Sequence, residues 1–214
     1  TDLCICLDSG DRERLGAFAG FHTGGGKVLS VDHHITNTHY GDENVVEPDA
    51  SSTCEVLFGL MDEEKISRET AACLYTGIVH DTGVFQYSNT SVKTMDIAGK
   101  MMKKGIDFST IISESYYQKT YVQNQVLGRA LLESILFCDG QCIFSVIRKK
   151  DMEFYGVTSK DMEGIVEQLR STAGVECAIF LYEKEFQEYK VSLRSKTKVD
   201  VSKVAAYFGG GGHV

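Results

Sequence analysis

Four short stretches of the chain set groups that bind cations, protons or phosphate beside one another. Asp8 closes the apolar run DLCICLD, Asp32, His33 and His34 follow the run KVLSV, and Asp81 closes GIVHD. Carboxylate and imidazole together suit manganese, iron or zinc, with magnesium where carboxylates dominate. A lone aspartate at a strand end is usually a cap or turn residue. Three such ends, one with paired histidines, point instead to a reaction centre. As a ligand, His33 needs its second ring nitrogen held, and a neighbouring carboxylate can do that. Adjacent side chains of an extended chain leave opposite faces, so His33 and His34 are expected to take different directions and roles. The fourth stretch is FGGGGHV, in which Gly210, Gly211 and Gly212 let backbone N–H groups approach a phosphate and His213 adds a donor or a cation. Arg194, in VSLRSK, can clamp a phosphate with two parallel hydrogen bonds. A glycine run by itself is more often a linker. His80, beside Asp81, reads first as a helix-end histidine satisfied by a carbonyl.

Strands and helices must bring these groups together. DLCICLD (2–8) and KVLSVDHH (27–34) read as strands around DRERLGAFAGF, a helix capped by Asp11. That order is a βαβ unit with a parallel sheet. Ligands of open α/β sheets collect at the carboxyl ends of strands, so Asp8 and Asp32–His34 are expected to share a crevice. Helices follow over 50–64, 67–83 and 91–105, the last with Met95, Ala98 and Met102 as its apolar stripe. Residues 119–132 read as a connecting helix. Beyond it come a hairpin turning at Asp139-Gly140, a helix over 159–172, a hairpin over 176–196 and a short helix capped by Asp200. The fold class is therefore α/β: a parallel-sheet domain over 1–118, a connecting helix over 119–132 and a smaller α+β domain over 133–214.

Bulk composition narrows the functional classes. Of 214 residues 43% are hydrophobic and 24% charged, an ordinary globular balance. No apolar run approaches the roughly 18 residues that cross a bilayer, so no membrane partner is expected. Seven cysteines without a C-x-x-C pair read as buried free thiols of a cytoplasmic protein rather than a zinc site. Residues 1–118 hold 9 Lys/Arg against 18 Asp/Glu, while 119–214 hold 13 against 12. The acidic half suits cations and the balanced half can meet an anion. Neither has the basic footprint of a duplex DNA binder.

VDHH, GIVHDTGVFQYSNTSVKT and a terminal GGGGH, in that order along nearly the whole chain, resemble the DHH phosphoesterases that carry a DHHA1 substrate domain, and within them the nanoRNase and 3′-phosphoadenosine-5′-phosphate phosphatase group. DHH alone is a weak signal; the series is a strong one. The resemblance implies a manganese-dependent hydrolase with two ions, magnesium being an alternative, about 3.5–4 Å apart. It implies Asp8 as the carboxylate bridging both ions, His33 and Asp81 as ligands of one of them, and His34 as the catalytic histidine facing the scissile phosphate. Asp32 orients the centre, and Arg194 with Gly210–His213 grips the substrate's terminal phosphate or nucleotide. The substrates implied are short oligoribonucleotides or 3′-phosphoadenosine-5′-phosphate, cleaved to mononucleotides, and a homodimer is compatible with the reading. Two alternatives stay open: a linear or cyclic di-AMP phosphodiesterase, and a nucleotide-binding module without catalysis. The family's opening H-x-x-P-D-x-D motif and the helix after GGGGH are not in the sequence, so an N-terminal strand and a C-terminal helix are expected to have been trimmed.

Overall fold

The computed structural model describes residues 2–22, 24 and 26–210. The chain divides into two compact units, residues 1–118 and 119–214. The first is built on a parallel sheet of β1 (Leu3–Leu7), β2 (Lys27–Asp32) and β3 (Glu43–Val46), in that order. Leu7 pairs with Val31 and Asp32 with Val46, so all three strands end on the same side. Strand β3 is short, partly polar and at an edge of the sheet, which is why its alternation is too weak to read from sequence. Between β1 and β2 the expected helix is broken. A 3-10 turn over Glu13–Phe18 contains Gly16 at φ 53°, and only Ala19–His22 (α1) is α-helical. Asp11 still accepts from the Arg14 N–H (3.0 Å), but the glycine turns the chain before a second turn can form.

Helices α2 (Thr53–Leu60), α3 (Arg68–Asp81) and α4 (Val92–Lys103) begin at Ser52, Ser67 and Ser91, each of which accepts the N–H three residues on. Ala71, Leu74, Ile78 and Val79 of α3 pack on Ile97, Ala98 and Met101 of α4. The stripe that α4 buries is thus Thr94, Ile97, Ala98 and Met101; Met95 and Met102 are exposed, correcting the methionine stripe. Both stripes have helical spacing, and only the direction of α3 decides between them. Gly77 lets α3 approach α2, because a Cβ there would collide with the Cys54 sulfur. A short helix α5 (Phe108–Ile112) and a π-helical turn, Ser113–Tyr117, complete the unit.

In the second unit the sheet order is β4 (Ile135–Phe137), β5 (Cys142–Ile147), β6 (Cys177–Glu185) and β7 (Glu188–Ser195). Its outer pairs are antiparallel hairpins and its central pair is parallel. The parallel pair requires a crossover, and α7 (Lys149–Tyr155) and α8 (Ile165–Arg170) supply it. The helix expected over 159–172 is interrupted at Gly164 (φ 81°), leaving a 3-10 turn and α8. Helix α6 (Tyr121–Leu132) is built into this unit: Val126 and Ala130 are fully buried against Ile143, Ile147, Leu169 and Phe180. Helix α9 (Val201–Tyr207) is capped by Asp200. Among the described residues no helix is long and apolar enough to cross a membrane, and all seven cysteines are free.

Candidate metal centre and substrate-binding residues

Strand ends build the centre. Asp8 follows β1 in the left-handed region (φ 57°), a conformation aspartate tolerates better than most residues. Its N–H bonds the Val31 carbonyl (3.1 Å), which carries the parallel pairing one step beyond the strand. Thr53, the first residue of α2, donates its hydroxyl to Asp8 Oδ1 (2.8 Å). Strand β2 ends at Asp32, so His33 and His34 lie in the turn beyond it. Strand alternation therefore no longer applies, and the expectation of opposite directions is corrected. His33 Nε2 and His34 Nδ1 each lie 3.8 Å from Asp8 Oδ1, with the two rings edge to face at 4.8 Å.

Asp32 makes this turn possible. It is fully buried, and its Oδ1 accepts the His33 N–H (2.8 Å), the His34 N–H (3.2 Å) and the His34 ring at Nδ1 (2.7 Å). Asn37 donates to its Oδ2 at 2.6 Å and to the Ser9 carbonyl at 3.3 Å, tying the turn after β1 to the turn after β2. Burial pushes the Asp32 carboxyl up, but the hydrogen bonds from Asn37, His34 and His33 outweigh it and hold the group below the usual carboxylate range. Asp32 is thus an ionised clamp that orients both histidines.

His33 lies 3.2 Å through Nδ1 from the Ala50 carbonyl. A carbonyl can only accept, so Nδ1 carries the proton and Nε2 presents a lone pair. That lone pair faces Asp8 Oδ1 and Asp81 Oδ2, each 3.8 Å away. Asp81 is the last residue of α3, and burial, then the Asp8 charge, raise its carboxyl above the ordinary range. Among the described residues, no Lys or Arg pairs with Asp8 or Asp81, and the imidazoles of His33 and His34 lie beside them at 3.8 Å. Ligand atoms about 2.1 Å from one cation stand about 3.0–4.2 Å apart, depending on the angle between them. The 3.8 Å separations fit that range, and Asp8, His33 and His34 have ligand atoms within 4.8 Å of one another. The donor set therefore suits a divalent metal ion. Cys54, nearby, is pushed up to about 11 by burial and by the charges of Asp81 and Asp8, which keeps it a neutral thiol rather than a thiolate ligand.

His80 turns elsewhere: its Nε2 lies 3.2 Å from Ser115 Oγ and its ring packs on Tyr116. The sequence reading missed Thr53, Asn37, Ala50 and Asn89. Asn89 donates to the carbonyls of Ser51 (2.9 Å) and Asp81 (3.1 Å). Only the position of Thr53 at a capped helix start hinted at such a role.

In the second unit, Arg194 lies on β7 with its side chain half exposed and its Nε 2.6 Å from Glu167 Oε1. Glu167 Oε2 also meets Arg170 Nε at 2.9 Å. Gly209 (φ 76°) and Gly210 end α9, and the Gly210 N–H bonds the Ala205 carbonyl at 2.8 Å. The Gly210 N–H is therefore spent on the helix cap rather than turned toward a phosphate, which corrects that expectation. Gly211, Gly212 and His213 lie outside the described residues.

Comparison with known proteins follows this division. Residues 1–78 match the DHH family, N-terminal domain, and residues 139–214 match the DHHA1 domain. The chain is 30% identical over 215 residues to a Streptococcus mutans protein named probable bifunctional oligoribonuclease and PAP phosphatase NrnA. It is 29% identical over 216 residues to a Bacillus subtilis protein named bifunctional oligoribonuclease and PAP phosphatase NrnA. Each alignment covers 99% of this chain and 67% of the relative. The crystal structure of an exopolyphosphatase-related protein from Bacteroides fragilis superposes with a TM-score of 0.93 at 28% identity, covering 100% of this chain and 64% of that one. The chain thus spans about two thirds of the length of these relatives.

Proposed function

Because the chain belongs to the DHH family, with a DHHA1 domain following, we propose that it is a metal-dependent phosphoesterase that hydrolyses short oligoribonucleotides and 3′-phosphoadenosine-5′-phosphate to mononucleotides. One observation carries the chemistry: Asp8 and Asp81 converge on His33 Nε2 at 3.8 Å with, among the described residues, no Lys or Arg to neutralise them. The cofactor proposed is manganese, as two ions, which Asp8, His33 and Asp81 would help to hold; a mixed carboxylate and imidazole donor set suits it. When bound, such ions supply Lewis acidity toward a phosphoryl oxygen and lower the pKa of a bound water.

The chain's own residues do the positioning. Ala50 fixes the His33 tautomer, and Thr53 fixes the Asp8 carboxylate. Asp32 accepts a hydrogen bond from His34 Nδ1–H and sets the ring so that its other nitrogen, when it too carries a proton, can donate to the phosphoryl oxygens as charge develops on them. Arg194, with Gly211, Gly212 and His213, grips the substrate's terminal phosphate. Action in the cytoplasm fits the seven free thiols.

The full-length protein, assayed with Mn²⁺ on a dinucleotide and a trinucleotide RNA and on 3′-phosphoadenosine-5′-phosphate, is expected to release mononucleotides from the first two and inorganic phosphate from the third. Chelation should stop all three. Absence of any product from every substrate in Mn²⁺ would reject the proposal.

A further inference from the structure

One peptide group joins a buried carboxylate to the tautomer of His33. The Ala50 carbonyl that accepts the His33 Nδ1 proton belongs to the same peptide unit as the Ser51 N–H. In a trans peptide these two groups point in opposite directions. On the far side, the Ser51 N–H meets Glu55 Oε2 at 3.3 Å. The same oxygen accepts the Ser51 hydroxyl at 2.6 Å and the Thr94 hydroxyl at 2.7 Å, and Lys93 Nζ lies 3.7 Å from Oε1. Glu55 is 1% exposed. Burying a carboxylate this deeply is costly, and α2 does not need it as a cap because Ser52 already serves. Asn89 holds the other end of Ser51, bridging its carbonyl to that of Asp81. Every backbone and side-chain polar atom of Ser51 is thereby engaged.

We propose that Glu55 is a positioning residue: through the Ala50–Ser51 peptide it keeps His33 protonated at Nδ1 with Nε2 directed at Asp8 and Asp81. An anionic acceptor on the N–H polarises the peptide and makes its carbonyl a stronger acceptor. A better-held Nδ1 proton makes Nε2 a stronger metal donor. Asn89 links the same residue to the Asp81 end of α3, so one junction aligns both sides of the centre. The proposal rests on reading His33 as a metal ligand, but its first test does not involve the metal.

The test is the His33 tautomer, read by imidazole nitrogen NMR on metal-free, full-length protein at alkaline pH, with Mn²⁺ affinity measured separately. Glu55→Met keeps volume and removes both acceptor oxygens. Glu55→Gln keeps one acceptor and removes the charge. Thr94→Val removes a Glu55 hydrogen bond on the side away from the peptide. Wild type is expected to be wholly the Nδ1–H tautomer. Glu55→Met should mix the two tautomers and weaken Mn²⁺ binding by about 10–100-fold. Glu55→Gln should weaken binding more than Thr94→Val, which should keep the wild-type tautomer and affinity while lowering the melting temperature. An unchanged tautomer and affinity in Glu55→Met overturns the proposal. If that variant does not fold, equal effects of Glu55→Gln and Thr94→Val overturn it instead. A tautomer that responds as expected in a protein that binds no Mn²⁺ supports the positioning role and rejects the metal reading.

Discussion

The two candidate sites treat charge in opposite ways. In the first unit Asp8 and Asp81 share a partly buried centre with two imidazoles and, among the described residues, no basic partner. In the second, Arg194 already holds Glu167, which also holds Arg170. Negative charge left uncompensated in a partly desolvated place creates a demand for a cation. A guanidinium with a carboxylate in its fork meets an anionic substrate only as far as the substrate displaces that carboxylate. Because exposed ion pairs are worth about 0–1 kcal/mol, the exchange costs little. Rigidity differs as well. His33 and His34 are held by backbone groups and a buried carboxylate, whereas Arg194 is an exposed side chain with one ion pair and a bond to the Leu193 carbonyl. As proposed, the first site suits chemistry and the second adjustable binding.

The sharpest way to break this contrast is Asp81→Ala. It is expected to lower kcat about 10³-fold, or about 4 kcal/mol of transition-state stabilisation, the scale of a lost metal contribution. Steady-state kinetics at saturating Mn²⁺ measure it, and an unchanged rate rejects Asp81 as part of the centre.

Next in size is the linkage between metal and proton. The folded carboxyl of Asp81 is raised, so the metal-free native state keeps its proton longer than the unfolded chain does. Its contribution to stability is present below the unfolded carboxylate pKa of about 3.9 and is lost as pH rises through the raised value. Mn²⁺ competes with that proton, so its stabilising effect should grow over the same window and reach about 2.7 kcal/mol at a hundredfold excess over Kd. Thermal melts across pH, with and without Mn²⁺, measure both trends. A manganese effect that ignores pH breaks the assignment.

The second site should respond more gently. Arg194→Ala is expected to raise KM about tenfold, about 1.4 kcal/mol, with kcat within a factor of two. A fall in kcat as large as that of Asp81→Ala would erase the distinction between the sites. The smallest effect sharpens it most: Glu167→Gln releases Arg194 and should lower KM by up to about fivefold, within the worth of an exposed pair. A higher KM in that variant would mean that Glu167 holds Arg194 in its binding posture rather than competing with substrate.

The fold class, the parallel β1–β2 pair and both hairpins could be read from the chain because apolar alternation and turn residues are local signals. So could the convergence of Asp8 with Asp32–His34, since parallel strands end on one side of a sheet, whereas Asp81, at the end of a helix, is placed with them only by the family resemblance. Helix α7 and strand β3 could not: one is short and charged, the other short, partly polar and at a sheet edge, and each is held by long-range pairing or packing. The contacts of Thr53, Asn37 and Asn89 were equally hidden, since a single polar residue carries no periodicity.

The sequence by itself determined which residue types stand at the strand ends and which family order they follow. Only the tertiary structure decided that both histidines turn to the same aspartate, that Arg194 already has a partner, and that Gly210 spends its N–H on a helix cap. The reason is physical: the order of residues fixes what a group can donate or accept, but which partner it meets depends on segments far away in the chain.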